Sequence, residues 1–317
     1  MKEIKIGVIG TGNMGKNHVR VYDSMPEFEL VGVYDANQET AKQMAEQYGV
    51  RAFQTPEDLF EQVEAVSIAA PSSLHHDLTI RAAQAGCHVL VEKPIALNVE
   101  DAQEMIDACE KNHVVLMVGH VERYNPAVIE LMKVLESEKL IALDFKRMSP
   151  YDPRISDANV VQDLMIHDID VLNAIVKDPI EKLASQGAKV FSNKLDHVQA
   201  MIRYESGILA SITASRVTES KVREIQINTE SAYIVVKFIE RSIEIMRKTN
   251  FNLDVGHSMS YRQENIVERV FVPLSEPLRN EFAHFAQCIR EGVQPQTDGR
   301  MSLKALQLCE MISEGAF

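Results

Sequence analysis

The strongest constraint in this 317-residue chain is a glycine turn close to its start. Gly10-Thr11-Gly12-Asn13-Met14-Gly15 follows the β-branched run Ile4–Ile9 and opens a helical stretch, Met14–Ser24. Between a strand and a helix, the first glycine permits a tight turn and the second lets backbone approach a pyrophosphate. The third lets helix and strand pack closely. The helix start then offers free N–H groups and the positive end of its dipole to phosphates. Asp35 ends the next strand, Glu29–Tyr34, 20 positions after Gly15. An acid there accepts hydrogen bonds from ribose hydroxyls and repels a 2′-phosphate, so NAD is the expected cofactor in preference to NADP.

Residues 1–120 repeat this alternation. Apolar runs at Ala65–Ala69, His88–Val91 and Val114–Val118 are separated by helical patterns, as are the first two strands; the helices are Glu39–Tyr48, Leu74–Ala85 and Val99–Lys111. Strands buried on both faces read as continuous apolar runs. Strand and helix in turn imply right-handed crossovers, hence an α/β fold with an N-terminal Rossmann doubly wound parallel sheet. After Leu140 the rhythm changes. Leu140–Met148, Val198–Tyr204, Ile208–Ala214, Val222–Asn228, Tyr233–Phe238, Ser242–Arg247 and Ile266–Val272 are strand-like. One helix is expected near Val160–Val176 and two more after Pro277. Strands without helices between them indicate a C-terminal α/β domain with an open, mostly antiparallel sheet. The expected division is 1–121 for an NAD-binding domain and 122–317 for a substrate-binding and oligomerisation domain.

Composition narrows the function classes. Hydrophobic residues make up 45% and charged residues 25%, which excludes a disordered chain. With 33 Lys and Arg against 46 Asp and Glu the formal net charge is −13, which argues against nucleic acid as a partner. Cys87, Cys109, Cys288 and Cys309 are far apart and form no C-x-x-C pair, so neither a zinc site nor a disulfide framework is expected. Met1-Lys2-Glu3 leads straight into a strand-like run with no signal-peptide core. No stretch approaches the roughly 18 apolar residues that span a bilayer. A cytoplasmic protein with no membrane partner is the expectation.

Two further groups carry chemistry. Glu92-Lys93-Pro94 ends the strand His88–Val91, and ligands of open α/β sheets bind at the carboxyl ends of strands. Pro94 keeps Lys93 extended, which would hold its ammonium over the cofactor. Taken alone, the tripeptide is equally an ordinary strand-to-turn exit. Asp163, His167 and Asp170 are spaced i, i+4 and i+7 in the helical run, so at about 100° per residue they share a narrow sector. An aspartate one turn away fixes the tautomer of His167 and suits acid–base work. The bland alternative is the polar face of a surface helix. A metal site would need more ligands than these three.

The glycine motif, Asp35, Ala70-Pro71-Ser72 with His75, Glu92-Lys93-Pro94 and Asp163-x-x-x-His167 resemble the glucose–fructose oxidoreductase/inositol dehydrogenase/MocA family. The resemblance implies NAD(P)-dependent oxidation of a secondary hydroxyl of a sugar, with Lys93 and His167 near the reacting group and Asp163 beside them. It places Ala70, Pro71, Ser72, His75 and Glu92 with the cofactor, and implies a homodimer or homotetramer built through the C-terminal sheet. Gly119-His120-Val121-Glu122-Arg123-Tyr124-Asn125-Pro126 and the segment from Arg154 to Asp170 look most like the branch that oxidises UDP-N-acetylglucosamine at C3. Two departures fall beside the substrate: His120-Val121 stand where many members have Phe-Asn, and Asn159-Val160-Val161 replaces a glycine-rich approach to the helix. A nucleotide sugar needs cationic or hydrogen-bonding groups, and Arg123, Tyr124, Asn125, Tyr151 and Arg154 are the candidates. Arg154, with its planar fork, suits a phosphate, whereas Arg123 equally suits a structural ion pair. The alternatives are an inositol or polyol dehydrogenase of the same family, or a catalytically silent NAD/sugar sensor on this fold.

Overall fold

The computed structural model describes residues 2–152, 158–255 and 258–316, and within them the side chains outside 248–265. The chain divides into two compact units, Met1–Asn125 with Ser275–Gln307, and Pro126–Leu274 with Leu308–Phe317.

The first unit holds a six-stranded sheet in the order β3-β2-β1-β4-β5-β6, with every pair parallel. Its strands are β1 (Ile4–Ile9), β2 (Phe28–Tyr34), β3 (Arg51–Ala52), β4 (Ala65–Ile68), β5 (His88–Glu92) and β6 (Leu116–Gly119). The crossovers are α1 (Asn13–Asp23), α2 (Gln38–Tyr48), α3 (Pro56–Phe60), α4 (His75–Gln84) and α5 (Val99–Lys111). Both β4 and β6 are buried at every residue. Alternate side chains feed two cores: Val89, Val91 and Val118 on one face, Leu90 and Met117 on the other. Strand order reverses between β1 and β4, and that switch point is where doubly wound sheets bind ligands.

The second unit opens with α6 (Pro126–Leu135), a helix the sequence reading lacked, and β7 (Leu140–Met148). Then come a π-helical turn, Val161–Met165, and α7 (Ile166–Ile175). The remaining strands are β8 (Ile180–Ala188), β9 (His197–Tyr204), β10 (Leu209–Ser215), β11 (Val222–Thr229), β12 (Ala232–Lys237), β13 (Ser242–Val255) and β14 (Ser258–Val270). They form one sheet in the order β14-β13-β12-β11-β7-β10-β9-β8. Neighbours run antiparallel except β7 and β10, so the sheet is mixed at its centre. Strand β9 alternates strictly, with Val198, Ala200, Ile202 and Tyr204 buried and Gln199, Met201 and Arg203 exposed. One face is therefore covered; the π-helical turn packs against β7 and β10.

Helix α8 (Pro277–Glu291) and the part of α9 (Gly299–Gly315) up to Gln307 belong to the first unit, so its extent differs from the expected 1–121. The reason is apolar burial over a long sequence separation. Leu278, Phe282, Phe285 and Ala286 of α8 share a core cluster with Ile6, Val8, Val19 and Tyr22. Phe282 is fully buried and stacks on Tyr22 with ring centroids 3.9 Å apart. Truncating such a ring leaves a cavity that the two-sided packing cannot close. Phe282→Ala is expected to destabilise the first unit by about 3–5 kcal/mol, read from the urea midpoint of its unfolding transition.

Candidate active site

The glycine turn is shaped by two shortages of space and one opening. Gly10 has φ +88°, and a Cβ there would lie 2.7 Å from the Ala69 and Ala70 backbone. A Cβ on Gly15 would fall 1.8 Å from the Gly10 carbonyl oxygen. At Gly12 nothing lies within 4 Å of a Cβ position, so this glycine faces open space where a ligand can approach. Helices α2, α3 and α5 begin on side-chain caps from Asn37, Thr55 and Asn98, but α1 begins at Gly12 with no side-chain cap and no acid in its first turn. Its leading N–H groups, with Asn13 and Met14 exposed beside them, suit a diphosphate. Asp35 accepts from the Thr11 N–H at 2.6 Å and the Thr11 hydroxyl at 2.8 Å, and its other oxygen accepts from the Asn37 N–H at 2.8 Å. The carboxylate is thereby fixed beside the glycine turn. These residues fit a dinucleotide.

The loops after β4 and β5 are tied together by His75, which is buried, with Nδ1 2.9 Å from the Pro94 carbonyl and Nε2 2.9 Å from that of Ala70. Burial pushes its pKa below the ordinary histidine value, against the pull of both carbonyls and of Glu92. The ring is therefore neutral at pH 7 and donates to one carbonyl at a time. Its place is a brace beneath Pro71 and Ser72, which are exposed and half-buried. Lys93 is half-buried and its peptide bond to Pro94 is cis. Glu92 turns inward: Oε1 lies 2.9 Å from Nε2 of the fully buried His18, and Oε2 accepts from the Lys93 N–H at 3.3 Å. Burial alone would raise the Glu92 carboxyl, but the His18 hydrogen bond and the attraction of His18, Lys93 and His75 hold it below the usual glutamate value.

Of the residues after β6, Tyr124 also turns inward. Its hydroxyl lies 2.9 Å from His284 Nδ1 and 3.3 Å from Thr297 Oγ1, and burial pushes its pKa up. Asn125 donates to Glu122 at 3.1 Å, and Arg123 is half-buried. Met14, Asn17, Glu122 and Asn125 line one cavity of about 270 Å³, which brings a cofactor candidate and a substrate candidate together.

In the second unit Asp163 lies within the π-helical turn and His167 in the first turn of α7, both half-buried. A π turn holds more residues than an α turn, so the even spacing expected over a continuous Val160–Val176 helix does not hold there. Asn159, a departure in the sequence, accepts from the Val161 and Gln162 N–H groups at 2.9 Å each and so caps this turn. Next to His167, Asp168 takes two hydrogen bonds from Arg147 of β7, at 2.8 and 3.0 Å, with both side chains buried. Asp196 pairs with Arg216 at 2.8 Å, and Arg216 also donates to the Ala158 carbonyl and lies 5.9 Å from the Tyr151 ring centroid. Arg154 lies outside the described residues. Among those described, no group of three or more His, Cys, Asp or Glu could hold a metal ion, and all four cysteines are free and buried.

Sequence spacing had pointed to neither Arg147–Asp168 nor Asp196–Arg216. His18, three positions after Gly15, was the one inward-facing residue with a local signal, being a polar side chain on the packed face of the glycine helix.

A doubly wound domain whose glycine turn, uncapped helix start and acid fit NAD, joined to a unit built on an open sheet, defines an NAD-binding oxidoreductase. Residues 4–120 match the family model "Oxidoreductase family, NAD-binding Rossmann fold", and residues 99–235 match the "GFO/IDH/MocA C-terminal domain". The chain is 33% identical to UDP-N-acetylglucosamine 3-dehydrogenase of Acidithiobacillus ferrooxidans over 249 residues, 78% of each chain. It is 27% identical to D-apiose dehydrogenase of Paraburkholderia graminis, over 98% of this chain and 87% of that one. A solved structure of the Acidithiobacillus enzyme superposes with TM-score 0.90 at 28% identity, covering 100% of this chain and 98% of that one. The chain belongs to the glucose–fructose oxidoreductase/inositol dehydrogenase/MocA family, and it is a dehydrogenase of that family.

Two measurements probe these local structures. In fluorescence titrations NADH should bind more tightly than NADPH, and Asp35→Ser should narrow the gap by about tenfold, since the charge facing a 2′-phosphate is gone. The Asp196 carboxyl, which burial alone would raise, accepts from the N–H groups of Val190, Phe191 and Ser192 and from Arg216, and is held far below its ordinary 3.8. A depressed folded-state value means stabilisation that is complete above roughly pH 5 and disappears as pH falls below 3.8. Urea unfolding should show a wider stability gap between the parent and Asp196→Asn at pH 7 than at about pH 3.

Proposed function

We propose that this dehydrogenase oxidises a secondary hydroxyl of a nucleotide sugar, with UDP-N-acetylglucosamine oxidised at C3 as the leading substrate. The observation that carries this reading is the 33% identity to a UDP-N-acetylglucosamine 3-dehydrogenase over 78% of both chains. NAD, when bound, supplies the hydride acceptor. The protein supplies the proton chemistry: the His167 imidazole takes up the hydroxyl proton, the Lys93 ammonium donates a hydrogen bond to the same oxygen, and Asp163 favours the protonated imidazole. Asn125 and Tyr151 are the described residues left to meet the sugar, since the Tyr124 hydroxyl is committed to His284 and Thr297. Arg154 is assigned to the phosphates and Arg123 to the same side, on their residue type. Ala70, Pro71 and Ser72 serve the nicotinamide side, above the His75 brace.

Assembly belongs to the same reading. Met201 on the uncovered face of the second unit's sheet is 70% exposed, Val267 of β14 is 52% exposed, and Phe271 just past β14 is 81% exposed. Apolar side chains in such positions mark contacts, and a second copy of this chain, as a homodimer or homotetramer, is the partner we assign. Four buried, free thiols fit a reducing cytoplasm. Among the described residues no helix is long and apolar enough to cross a membrane.

The test is NADH formation from UDP-N-acetylglucosamine, myo-inositol and glucose at equal concentrations, with the nucleotide sugar expected to lead. Lys93→Met and His167→Ala should each lower kcat by about 10²–10⁴-fold while NADH still binds. Turnover of inositol alone would move the substrate to the polyols. Near-parental turnover in both variants would remove the assigned roles.

A further inference from the structure

We propose that His18 and Glu92 are positioning residues for Lys93, anchored at the far end by Ser67, and that Glu92 is not a cofactor ligand. The proposal rests on the reading of Lys93 as a group that acts on the reacting hydroxyl. Three elements contribute. His18 comes from α1, Ser67 from β4 and Glu92 from the end of β5, and all three are buried. His18 Nδ1 lies 2.7 Å from Ser67 Oγ and Nε2 lies 2.9 Å from Glu92 Oε1. A carboxylate only accepts, so Nε2 carries a proton and points it at Glu92; in the neutral ring Nδ1 then accepts from the Ser67 hydroxyl. The ring is held edge-on against Phe282 at 5.0 Å and Tyr22 at 6.4 Å, so it cannot swing away from either partner.

The second oxygen of Glu92 accepts from the backbone N–H of Lys93. Glu92 is thus gripped on one side by His18 and grips Lys93 on the other. Its negative charge attracts the Lys93 ammonium. An independent feature keeps the carboxyl in place. A Cβ on Gly119 would lie 3.0 Å from Glu92 Oε1 and 3.1 Å from its carboxyl carbon, so β6 carries no side chain where the carboxyl stands. An apolar pair would fill this volume without desolvating a carboxylate. What the pair supplies is a fixed negative charge one residue from the ammonium, at the carboxyl end of β5. A cofactor ligand would face outward there; Glu92 faces inward.

The test compares the parent with Glu92→Gln, His18→Phe and Gly119→Ala, with Lys93→Met as the control for labelling. In the protein without cofactor, an amine-reactive ester is applied and the labelling of Lys93 is followed by peptide mass spectrometry relative to the exposed Lys16. Glu92→Gln and His18→Phe should speed Lys93 labelling by about threefold or more relative to Lys16, because the anion that holds the ammonium is gone or unsupported. Gly119→Ala should move the ratio the same way by less. In assays with NAD and UDP-N-acetylglucosamine, kcat should fall by about tenfold in Glu92→Gln while NADH affinity stays within about twofold. An unchanged labelling ratio in Glu92→Gln overturns the proposal. So does a loss of NADH affinity in step with kcat, which would return Glu92 to the cofactor. If His18→Phe fails to fold, Glu92→Gln and Gly119→Ala decide alone. If the parent does not turn over the sugar, the substrate reading fails, while the labelling ratio still decides the positioning.

Discussion

No side chain fits between the start of α1 and the end of β1. A Cβ on Gly15 would sit 1.8 Å from the Gly10 carbonyl oxygen, well inside any contact distance, so the helix lies directly on the turn that precedes it. That single steric condition sets two faces of the site. Outward, it presents the uncapped first turn of α1 at the switch point of the sheet. Inward, it brings His18 down between Ser67 on β4 and Glu92 on β5. A larger residue at position 15 would lift the helix and lose both. The uncapped N–H groups and the inner polar chain are therefore consequences of one close approach, and neither can be adjusted without the other.

Much of the first unit was legible in the sequence because parallel strands buried on both faces are plain apolar runs. The ranges read for β1 and α5 coincide with the structure, and those of β2, β4 and β5 agree within one residue. The two-residue β3 and the short α3 were missed, since neither is long enough to show a period. The allegiance of α8 was not legible either. Its apolar positions say that one face is buried but not against what, and its partners Val19 and Tyr22 lie far back in the chain. In the second unit β8 escaped for a different reason. Its sequence IEKLASQGA has most positions exposed, and its pairing with β9 depends on backbone hydrogen bonds that leave no apolar alternation to read.

The candidate site divides along the same line. The glycine turn at Gly10, Gly12 and Gly15 could be read because its shape depends on backbone conformation and on a fixed spacing within one βαβ unit. Glu92 at the end of β5 and Tyr124 in the turn after β6 were both named, yet the sequence does not say which way a side chain turns there. Both turn inward, toward His18 and toward His284. The π-helical turn before α7 was invisible for a related reason: the heptad-like spacing of Asp163, His167 and Asp170 fits a continuous α-helix equally well. Asn159 shows the converse. Set against a glycine-rich pattern it looks like a defect, but as the cap of that turn it satisfies two N–H groups that glycine would leave to solvent.

Buried carboxylates held by nitrogen donors recur at each of these places. Glu92 meets His18 beside Lys93, Asp168 meets Arg147 beside His167, and Asp196 meets Arg216, which also holds the Ala158 carbonyl and faces Tyr151. Burying a carboxylate offsets most of what its donors contribute, so stability alone does not account for three of them. Direction does. A packed apolar side chain can rotate or shift by a few tenths of an ångström with little penalty, whereas a carboxylate held by two or more donors in a low-dielectric interior has one favourable orientation. Each pair passes that orientation to the backbone of its neighbour: through the Lys93 N–H, through the first turn of α7, and through the residues that flank the segment from Tyr151 to Ala158. Proton transfer needs donor and acceptor placed within a fraction of an ångström. Groups that act on the reacting hydroxyl must stay half-exposed to meet a substrate, so on the proposed reading of Lys93 and His167 their precision comes from buried partners one residue away.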